Sequence, residues 1–241
     1  MTEEERRARE RIEKRRAYRR RELRRNMILC TISVIFLLVV IALVIHLIKR
    51  GSEETVAKST PVTDVKYIDE KPEIDVELLP VNAYSRPGKA LEKVKGIVVH
   101  YTANPGTTAM QNRDYFANLA ETHERSVSSH FVIGLEGEIV QCIPCKEIAY
   151  ASNERNADTL SIECCIEDES GRFNSETYAS LVELTAWLMG RYDLETDDVI
   201  RHYDVTGKNC PKYYVEHESA WEEFKSDLEE YITEYGVEIS E

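Results

Sequence analysis

The chain of 241 residues has room for one globular domain together with additional segments. Its net charge of −13 is unevenly distributed, because residues 1–26 hold 12 Lys and Arg against 6 Asp and Glu whereas residues 51–241 carry −21. The phosphate backbone of a nucleic acid repels such an acidic surface, so the composition excludes nucleic acid as a partner of the C-terminal part.

Residues 27–48 form a run without any charged side chain that is dense in Ile, Leu and Val. As a helix, this run spans about 33 Å, which is enough for a hydrocarbon core of about 30 Å. A cleaved signal peptide is the alternative, but such peptides usually have a shorter apolar region and a small-residue cleavage site. The run ends at Lys49-Arg50 without such a site. It therefore predicts one retained transmembrane helix.

The charges that flank this run predict its orientation. The positive-inside rule places the basic arm, residues 1–26, in the cytoplasm and the rest of the chain outside the cell membrane. Lys49 and Arg50 oppose this orientation but are few. The alternative function of the arm is to bind anionic lipid heads or nucleic acid.

Residues 49–77 are polar and acidic, contain Pro61 and Pro72, and show weak periodicity. They predict an extracellular tether, and a flexible chain of this length reaches roughly 25–30 Å. The folded domain is predicted to occupy residues 78–236 and a tail residues 237–241.

Strands and helices alternate within the predicted domain. Apolar runs predict strands over 95–101, 160–166 and 199–202, and a hairpin over 130–133 and 138–142 that turns at Glu136-Gly137. Apolar residues at helical spacing predict helices over 108–120, 178–189 and 221–231, the last ended by Gly236. This alternation predicts an α/β fold with helices packed on one sheet.

Candidate metal ligands occur in the segment from Arg201 to Pro211. His202 and Cys210 lie eight residues apart, with Gly207 and Lys208 between them. Imidazole nitrogen and thiolate sulfur are ligands that zinc favours, and a catalytic zinc site takes three protein ligands and a water. The third candidate is His100, which ends an apolar run.

Four motifs together resemble a known enzyme family. They are Gly96-Ile-Val-Val-His-Tyr-Thr-Ala-Asn-Pro-Gly106, Ser129-His-Phe-Val-Ile-Gly134, Leu160-Ser-Ile-Glu163 and Arg201-His-Tyr-Asp-Val-Thr-Gly-Lys-Asn-Cys-Pro211. With these motifs in this order, residues 78–235 resemble the zinc-dependent, type 2 N-acetylmuramoyl-L-alanine amidases, which are related to phage lysins and peptidoglycan recognition proteins.

The resemblance implies a mixed central β-sheet flanked by helices and a zinc ion bound by His100, His202 and Cys210. It also implies peptidoglycan as the substrate and hydrolysis of the amide bond that joins the lactyl group of N-acetylmuramic acid to L-alanine. Some family members have a tyrosine at the position of Ser129, whose hydroxyl could not replace a phenol as an acid. The chain therefore resembles the subgroup that relies on a glutamate.

Residue chemistry assigns two catalytic roles. Glu163 lies within an apolar strand, where a carboxylate is costly, and it is the candidate general base that takes a proton from zinc-bound water. Lys208 is the candidate that stabilises the oxyanion, and Gly207 gives its loop the backbone freedom to reach the site.

Three further residues are candidate substrate contacts. Tyr101 and Asn104 follow the first predicted ligand along the chain, and His130 is the second residue of the second motif. For His130 the alternative is a hydrogen bond within the core. Asp204 either orients a metal ligand or makes an ordinary turn hydrogen bond.

The cysteines leave two further hypotheses open. Relatives that lack the zinc cysteine bind peptidoglycan without cleaving it, so a non-catalytic binding module is the main alternative function. Cys142 and Cys145 form a C-x-x-C motif, which suggests a thiol-disulfide sensor, but the motif follows a strand and no helical pattern begins there. Strand alternation places Cys164 on the opposite face from Glu163 and Cys165 on the same face.

Overall fold

A computed structural model describes residues 66–238. The predicted basic arm, the predicted membrane helix over 27–48, and the first part of the tether lie outside these residues, as do residues 239–241. Among the helices of residues 66–238, none combines the length and the apolar character needed to cross a bilayer.

A mixed β-sheet forms the centre of the domain. The eight strands within residues 66–238 are β1 (Lys66–Tyr67), β2 (Asp75–Val76), β3 (Ile97–Tyr101), β4 (Phe131–Ile133), β5 (Ile139–Gln141), β6 (Leu160–Cys164), β7 (Val199–Arg201) and β8 (Val237–Glu238). Six of them form one sheet in the order β2-β5-β4-β6-β3-β7. Only the β4–β5 hairpin is antiparallel within this sheet. The mixed sheet and the hairpin are confirmed.

Besides two 3₁₀ helices, Asn153–Ala157 and Thr196–Asp198, the described range has five α-helices that connect or follow the strands. They are α1 (Ala109–Thr122), α2 (Ser175–Tyr192), α3 (His202–Thr206), α4 (Lys212–Glu216) and α5 (Glu218–Tyr235). Capping side chains fix where the predicted helices begin: Thr108 and Gln111 form a capping box before α1, and Asn174 accepts two backbone N–H groups at the start of α2. The short helices α3 and α4 were not predicted, because five residues are too few to show a periodic pattern.

Alternate strand residues pack into two separate cores, one on each face of the sheet. On one face, Val99, Ile162 and Cys164 pack with the apolar sides of α2 and α5. On the other, Val132 and Cys165 pack with α1. The prediction that Cys164 and Cys165 lie on opposite faces of the strand is confirmed, because the two side chains are buried in different cores.

The predicted start of the domain at residue 78 is too late. Strand β1 pairs with β8, β2 pairs with β5, and Ile68 is buried in the core. Segment 66–68 lies so close to α2 that a Cβ at Gly190 would be 2.9 Å from the Cβ of Tyr67. Residues 66–77 therefore belong to the folded domain and not to the tether, and residues 237–238 form a strand and not a tail. Two-residue strands with exposed or half-buried side chains give no apolar periodicity to detect.

Candidate metal centre

The three predicted metal ligands lie together in a buried cluster. Ligand atoms of His100, His202 and Cys210 are all within 4.8 Å of one another. The two imidazole centroids are 4.7 Å apart at an interplanar angle of 62°, and the Cys210 Sγ lies 3.8 Å from the His100 Nδ1. This T-shaped arrangement brings a nitrogen of each ring close to the Cys210 sulfur.

Strand pairing brings the two histidines together. Strand β3 runs parallel to β7 with Val99 opposite Arg201, so the next residue of each chain segment, His100 and His202, lies at the same end of the sheet. The chain then turns through α3, which ends at Gly207 with a φ of 76°. The backbone N–H of Tyr203 donates to the carbonyl of Cys210. This hydrogen bond holds Cys210 next to the residue that follows His202.

Arg201 fixes the segment that carries His202 and Cys210. Its guanidinium donates to both carboxylate oxygens of Asp204, to the carboxylate of Glu218, and to the carbonyl of Tyr214. The Asp204 carboxylate also accepts the backbone N–H of Arg201 at 2.8 Å, at the start of α3. Asp204 therefore makes a local hydrogen bond at the start of the helix, which agrees with the second of its two predicted roles, an ordinary turn hydrogen bond.

The hydrogen bonds of the imidazoles leave one nitrogen of each ring for an ion. His100 Nε2 lies 3.1 Å from the Ser152 hydroxyl, and His202 Nε2 lies 3.1 Å from the Asn153 amide oxygen. His202 Nδ1 is buried and has no hydrogen-bond partner within residues 66–238. A buried polar atom without a partner is costly, and coordination to a metal would satisfy it.

Burial also keeps these groups in the protonation states from which a metal binds. Burial is the main cause that lowers the pKa of His100 and of His202, with the Lys208 charge adding to it, so both rings are neutral and carry a lone pair. Burial raises the pKa of Cys210 to about 12, and a metal that binds this thiol displaces its proton. Two imidazoles and one thiolate are a donor set that suits zinc.

Glu163 lies beside the cluster on the adjacent strand. It is the Cα partner of His100 in the β3–β6 pairing, so their side chains project from the same face. Its Oε2 is buried and has no hydrogen-bond partner within residues 66–238. Burial raises the pKa of Glu163 to about 8, and the positive charge of Lys208 acts in the opposite direction. A carboxyl group held in this way is available to exchange a proton with a neighbouring molecule.

Lys208 lies on the exposed loop after Gly207. Its charge lowers the pKa of His100, His202 and Glu163, so the ammonium group acts on the whole cluster. The loop thus supplies a positive charge close enough to affect the titratable groups of the buried site.

The sequence of this chain matches a known protein family. The family profile described as N-acetylmuramoyl-L-alanine amidase matches residues 90–213. The chain belongs to this amidase family. The matched range includes all three clustered ligands, Glu163 and Lys208.

Curated and solved relatives agree with this assignment. The amidase CwlL from Bacillus licheniformis is 38% identical over 162 residues, which is 62% of this chain and 44% of that protein. The amidase BlyA from Bacillus subtilis (strain 168) is 36% identical over 169 residues, 61% of this chain and 44% of that protein. The chain thus spans less than half the length of these relatives.

Two solved structures share the fold over almost their whole length. A mutant endolysin from Bacillus subtilis is 29% identical with a TM-score of 0.55, and the match covers 65% of this chain and 98% of that one. The catalytic domain of XlyA is 28% identical with a TM-score of 0.55, with 65% and 99% covered.

The three residues predicted to contact substrate lie in different environments in this member of the amidase family. Tyr101 is half-buried at the end of β3, and its ring lies against Gly171. Asn104 is exposed, and its carbonyl accepts a hydrogen bond from the Thr107 hydroxyl. Both remain predictions as substrate contacts.

His130 is a core residue, and its position does not support the prediction that it contacts substrate. Its side chain is only 1% exposed. Nδ1 accepts the backbone N–H of Ser161 at 3.0 Å, and Nε2 donates to the carbonyl of Glu147 at 2.9 Å. The adjacent Ser129 hydroxyl donates to the carbonyl of Ser161 in the same way. The alternative of a hydrogen bond within the core therefore holds.

The buried imidazole of His130 predicts an acid-sensitive fold. Burial lowers the pKa of His130 to about 4. The unfolded chain takes up this proton near pH 6.5, so the free energy of unfolding falls as the pH drops from about 6.5 to about 4, by roughly 3 kcal/mol in total. Urea unfolding of the metal-free protein, followed by fluorescence of Trp187 and Trp221, measures this loss.

The matched variant for that measurement is His130→Gln, which cannot titrate in this range. We expect the variant to start from a lower stability at pH 7 but to lose less of it between pH 6.5 and 4. Parallel pH curves for the two proteins would show that His130 is not the group responsible.

Sequence reasoning missed the two residues that contact the outer nitrogens of the histidines. Ser152 and Asn153 lie in a polar loop without apolar periodicity, far from both ligands in the sequence. Only the tertiary fold brings this loop to the cluster, so the sequence offered no signal for it.

The structure gives no support to the thiol-disulfide hypothesis. The five cysteines within residues 66–238 are all free. Burial raises the pKa of Cys142 to about 12, whereas a redox-active thiol needs a lowered pKa. No helix begins at the C-x-x-C motif, so no helix N-terminus stabilises a thiolate there.

Proposed function

We propose that this chain is a peptidoglycan hydrolase that cleaves the amide bond between N-acetylmuramic acid and L-alanine. The observation that carries the proposal is the buried cluster of His100, His202 and Cys210 with Glu163 beside it, in a chain that belongs to the N-acetylmuramoyl-L-alanine amidase family. The names of CwlL and BlyA describe the same activity for those relatives.

The proposed reaction divides its work among the residues of the cluster. His100, His202 and Cys210 would hold zinc, and the chemistry that zinc supplies with three protein ligands is to lower the pKa of a bound water and to polarise a carbonyl. Glu163 accepts the proton of the attacking water and passes it to the nitrogen of the leaving L-alanine. Lys208 stabilises the negative charge that develops on the carbonyl oxygen.

The environment of Glu163 supports its role as the base. Burial disfavours its ionised form, and each positive charge nearby favours it. A divalent cation in the adjacent cluster therefore increases the fraction of Glu163 that can accept a proton.

A non-catalytic module that binds peptidoglycan is the alternative. Three features favour an enzyme over such a module. Cys210 is present and lies in the cluster, Glu163 has an oxygen without a partner within residues 66–238, and Lys208 acts on both.

Analysis of new amino termini tests the proposed activity. Full-length protein, purified in detergent and supplied with zinc, is incubated with purified peptidoglycan, and new termini are labelled and identified. We expect L-alanine termini to appear, and a chelator should prevent their appearance. Binding to peptidoglycan without new L-alanine termini would favour the binding module, and new reducing sugar ends would indicate a glycosidase.

We further propose that residues 27–48 anchor the enzyme in the cell membrane, with residues 1–26 in the cytoplasm and the amidase domain outside. The support is the uncharged apolar run and the basic arm before it. With residues 66–77 in the domain, the tether shortens to 49–65, and a flexible chain of that length reaches about 20–25 Å. Protease added to intact protoplasts should remove the domain. Full protection of the domain would contradict this orientation.

A further inference from the structure

One short loop contacts the outer nitrogen of both histidines in the cluster. The Ser152 hydroxyl lies 3.1 Å from Nε2 of His100, and the side-chain oxygen of Asn153 lies 3.1 Å from Nε2 of His202. These two residues are adjacent in the chain, whereas the two histidines come from different strand ends. A single loop therefore contacts both imidazoles, and in His100 it contacts the ring nitrogen opposite the one that faces Cys210.

The loop is held rigidly by its own hydrogen bonds. The Asn156 side-chain oxygen accepts the backbone N–H groups of Ala151 and Ser152, at 3.0 and 2.6 Å. Upstream, the Ser128 hydroxyl accepts the N–H of Tyr150 at 3.0 Å. Ser152 is 1% exposed, so its hydroxyl has little freedom to move away from His100.

Asn153 adopts a backbone conformation that aims its amide at His202. Its φ is 53°, in the left-handed region that asparagine tolerates better than most residues. Few side chains combine this conformation with a short hydrogen-bond acceptor. The residue type at position 153 is therefore constrained both by the backbone and by its contact with the imidazole.

These contacts determine which ring nitrogen carries the proton. A neutral imidazole has one N–H donor and one acceptor nitrogen, and an amide oxygen can only accept. Asn153 therefore fixes the proton of His202 on Nε2. The Ser152 hydroxyl can either donate to or accept from Nε2 of His100, and it accepts when that ring also carries its proton on Nε2. The lone pairs are then on Nδ1, which in His100 faces the Cys210 sulfur and in His202 has no partner within residues 66–238.

We propose that Ser152 and Asn153 are positioning residues that hold both imidazoles as Nε2–H tautomers and thereby set the affinity of the cluster for its metal ion. The inference rests on the proposed function only in requiring that the cluster binds zinc. Hydrogen bonds from metal-binding histidines to such partners orient the ring and raise its basicity, and their loss typically costs 10–100-fold in metal affinity or activity.

Zinc affinity of the full-length protein tests the proposal without any hydrolysis assay. Competition with a chromogenic chelator gives the dissociation constant for the wild type and for Ser152→Ala and Asn153→Gly. Glycine tolerates the left-handed φ at position 153, so the second variant removes the amide without adding backbone strain. We expect each variant to bind zinc about 10–100-fold more weakly.

Two further variants separate positioning from a structural effect. Asn153→Asp keeps an acceptor oxygen in place, and we expect it to retain the affinity of the wild type within a few fold. Ala157→Ser alters an exposed residue of the same segment, which is neither of the two residues hydrogen-bonded to the imidazoles, and should leave the affinity unchanged. Circular dichroism of the metal-free proteins checks that each variant folds.

The histidine tautomers give a second readout. Ring nitrogen shifts from long-range proton–nitrogen NMR spectra of the metal-free protein at pH 8 distinguish a protonated Nε2 from a protonated Nδ1. We expect His202 in the wild type and in Asn153→Asp to have its proton on Nε2. In Asn153→Gly both tautomers of His202 should be populated.

Three results would overturn the proposal. These are a zinc affinity within twofold of the wild type in both loop variants, an unchanged tautomer of His202 in Asn153→Gly, and a wild-type protein that binds no zinc. A different result would contradict the proposed function alone. In that case the zinc-loaded wild-type protein would release no L-alanine termini, although the loop variants would still bind zinc more weakly than the wild type.

Discussion

Replacing Cys210 with alanine is expected to abolish hydrolysis of peptidoglycan. The thiol provides one of three clustered donor atoms, and it is the donor whose negative charge would most offset that of a divalent cation. Without it, two neutral imidazoles remain, and zinc binding weakens severely. Since zinc contributes several kcal/mol to such reactions and about 1.4 kcal/mol corresponds to tenfold, the rate should fall by roughly 10³-fold or more.

The rate of release of L-alanine termini measures this loss, and Cys145→Ala provides the matched control. Cys145 is another free cysteine, is partly buried, and packs against the core on the face of the sheet away from the cluster. Its removal should leave the rate unchanged within a few fold. Sedimentation with peptidoglycan shows whether the Cys210→Ala variant still binds its substrate. Full activity in Cys210→Ala would remove that residue from the metal centre.

Replacing Glu163 with glutamine is expected to lower kcat by about 10²–10⁴-fold, the contribution typical of a positioned general base. Glutamine has almost the same shape but cannot accept the proton of the attacking water. Zinc affinity should change little, because Glu163 lies beside the cluster and is not among its three clustered donors. Initial rates at saturating substrate, with zinc content measured on the same samples, separate the two effects.

Glu229→Gln is the control for removal of a negative charge. Glu229 is exposed on α5, which packs on the opposite face of the sheet from the cluster, so its loss should not alter kcat. If Glu163→Gln retained the kcat of the wild type, another group would have to act as the base. If it lost zinc and activity together, Glu163 would be a ligand or a structural residue.

The central strands could be predicted because their apolar runs are long and their ends carry the family motifs. The run before His100 and the run around Glu163 were both recognised as strands, and the structure pairs them with these two residues side by side. Their adjacency did not follow from periodicity, since the sequence does not give the order of strands in a sheet.

The clustering of the three candidate ligands was predicted, but the residues around the cluster were not. His202 and Cys210 could be identified as candidate metal ligands from their chemistry alone, because they lie close together in the sequence. Ser152 and Asn153 lie about 50 residues from the histidines that they contact, and serine and asparagine are common in ordinary loops. Such a contact exists only after the sheet has formed.

His130 shows the limit of inference from a motif. It belongs to a motif that the family shares and it precedes a strand, which made a position in the cleft plausible. The structure instead places its ring between Ser161 and Glu147, with both nitrogens hydrogen-bonded. A buried polar side chain in a shared motif can serve the fold as well as the site, and sequence alone does not distinguish these uses.

X-ray absorption at the zinc edge of the full-length, zinc-loaded protein tests the proposed metal centre most directly. We expect one zinc per chain with a single sulfur ligand at about 2.3 Å and nitrogen or oxygen ligands at about 2.0–2.1 Å, and we expect the sulfur contribution to vanish in Cys210→Ala. A zinc shell made only of nitrogen and oxygen in the wild type, or a protein that retains no zinc, would contradict the centre formed by His100, His202 and Cys210.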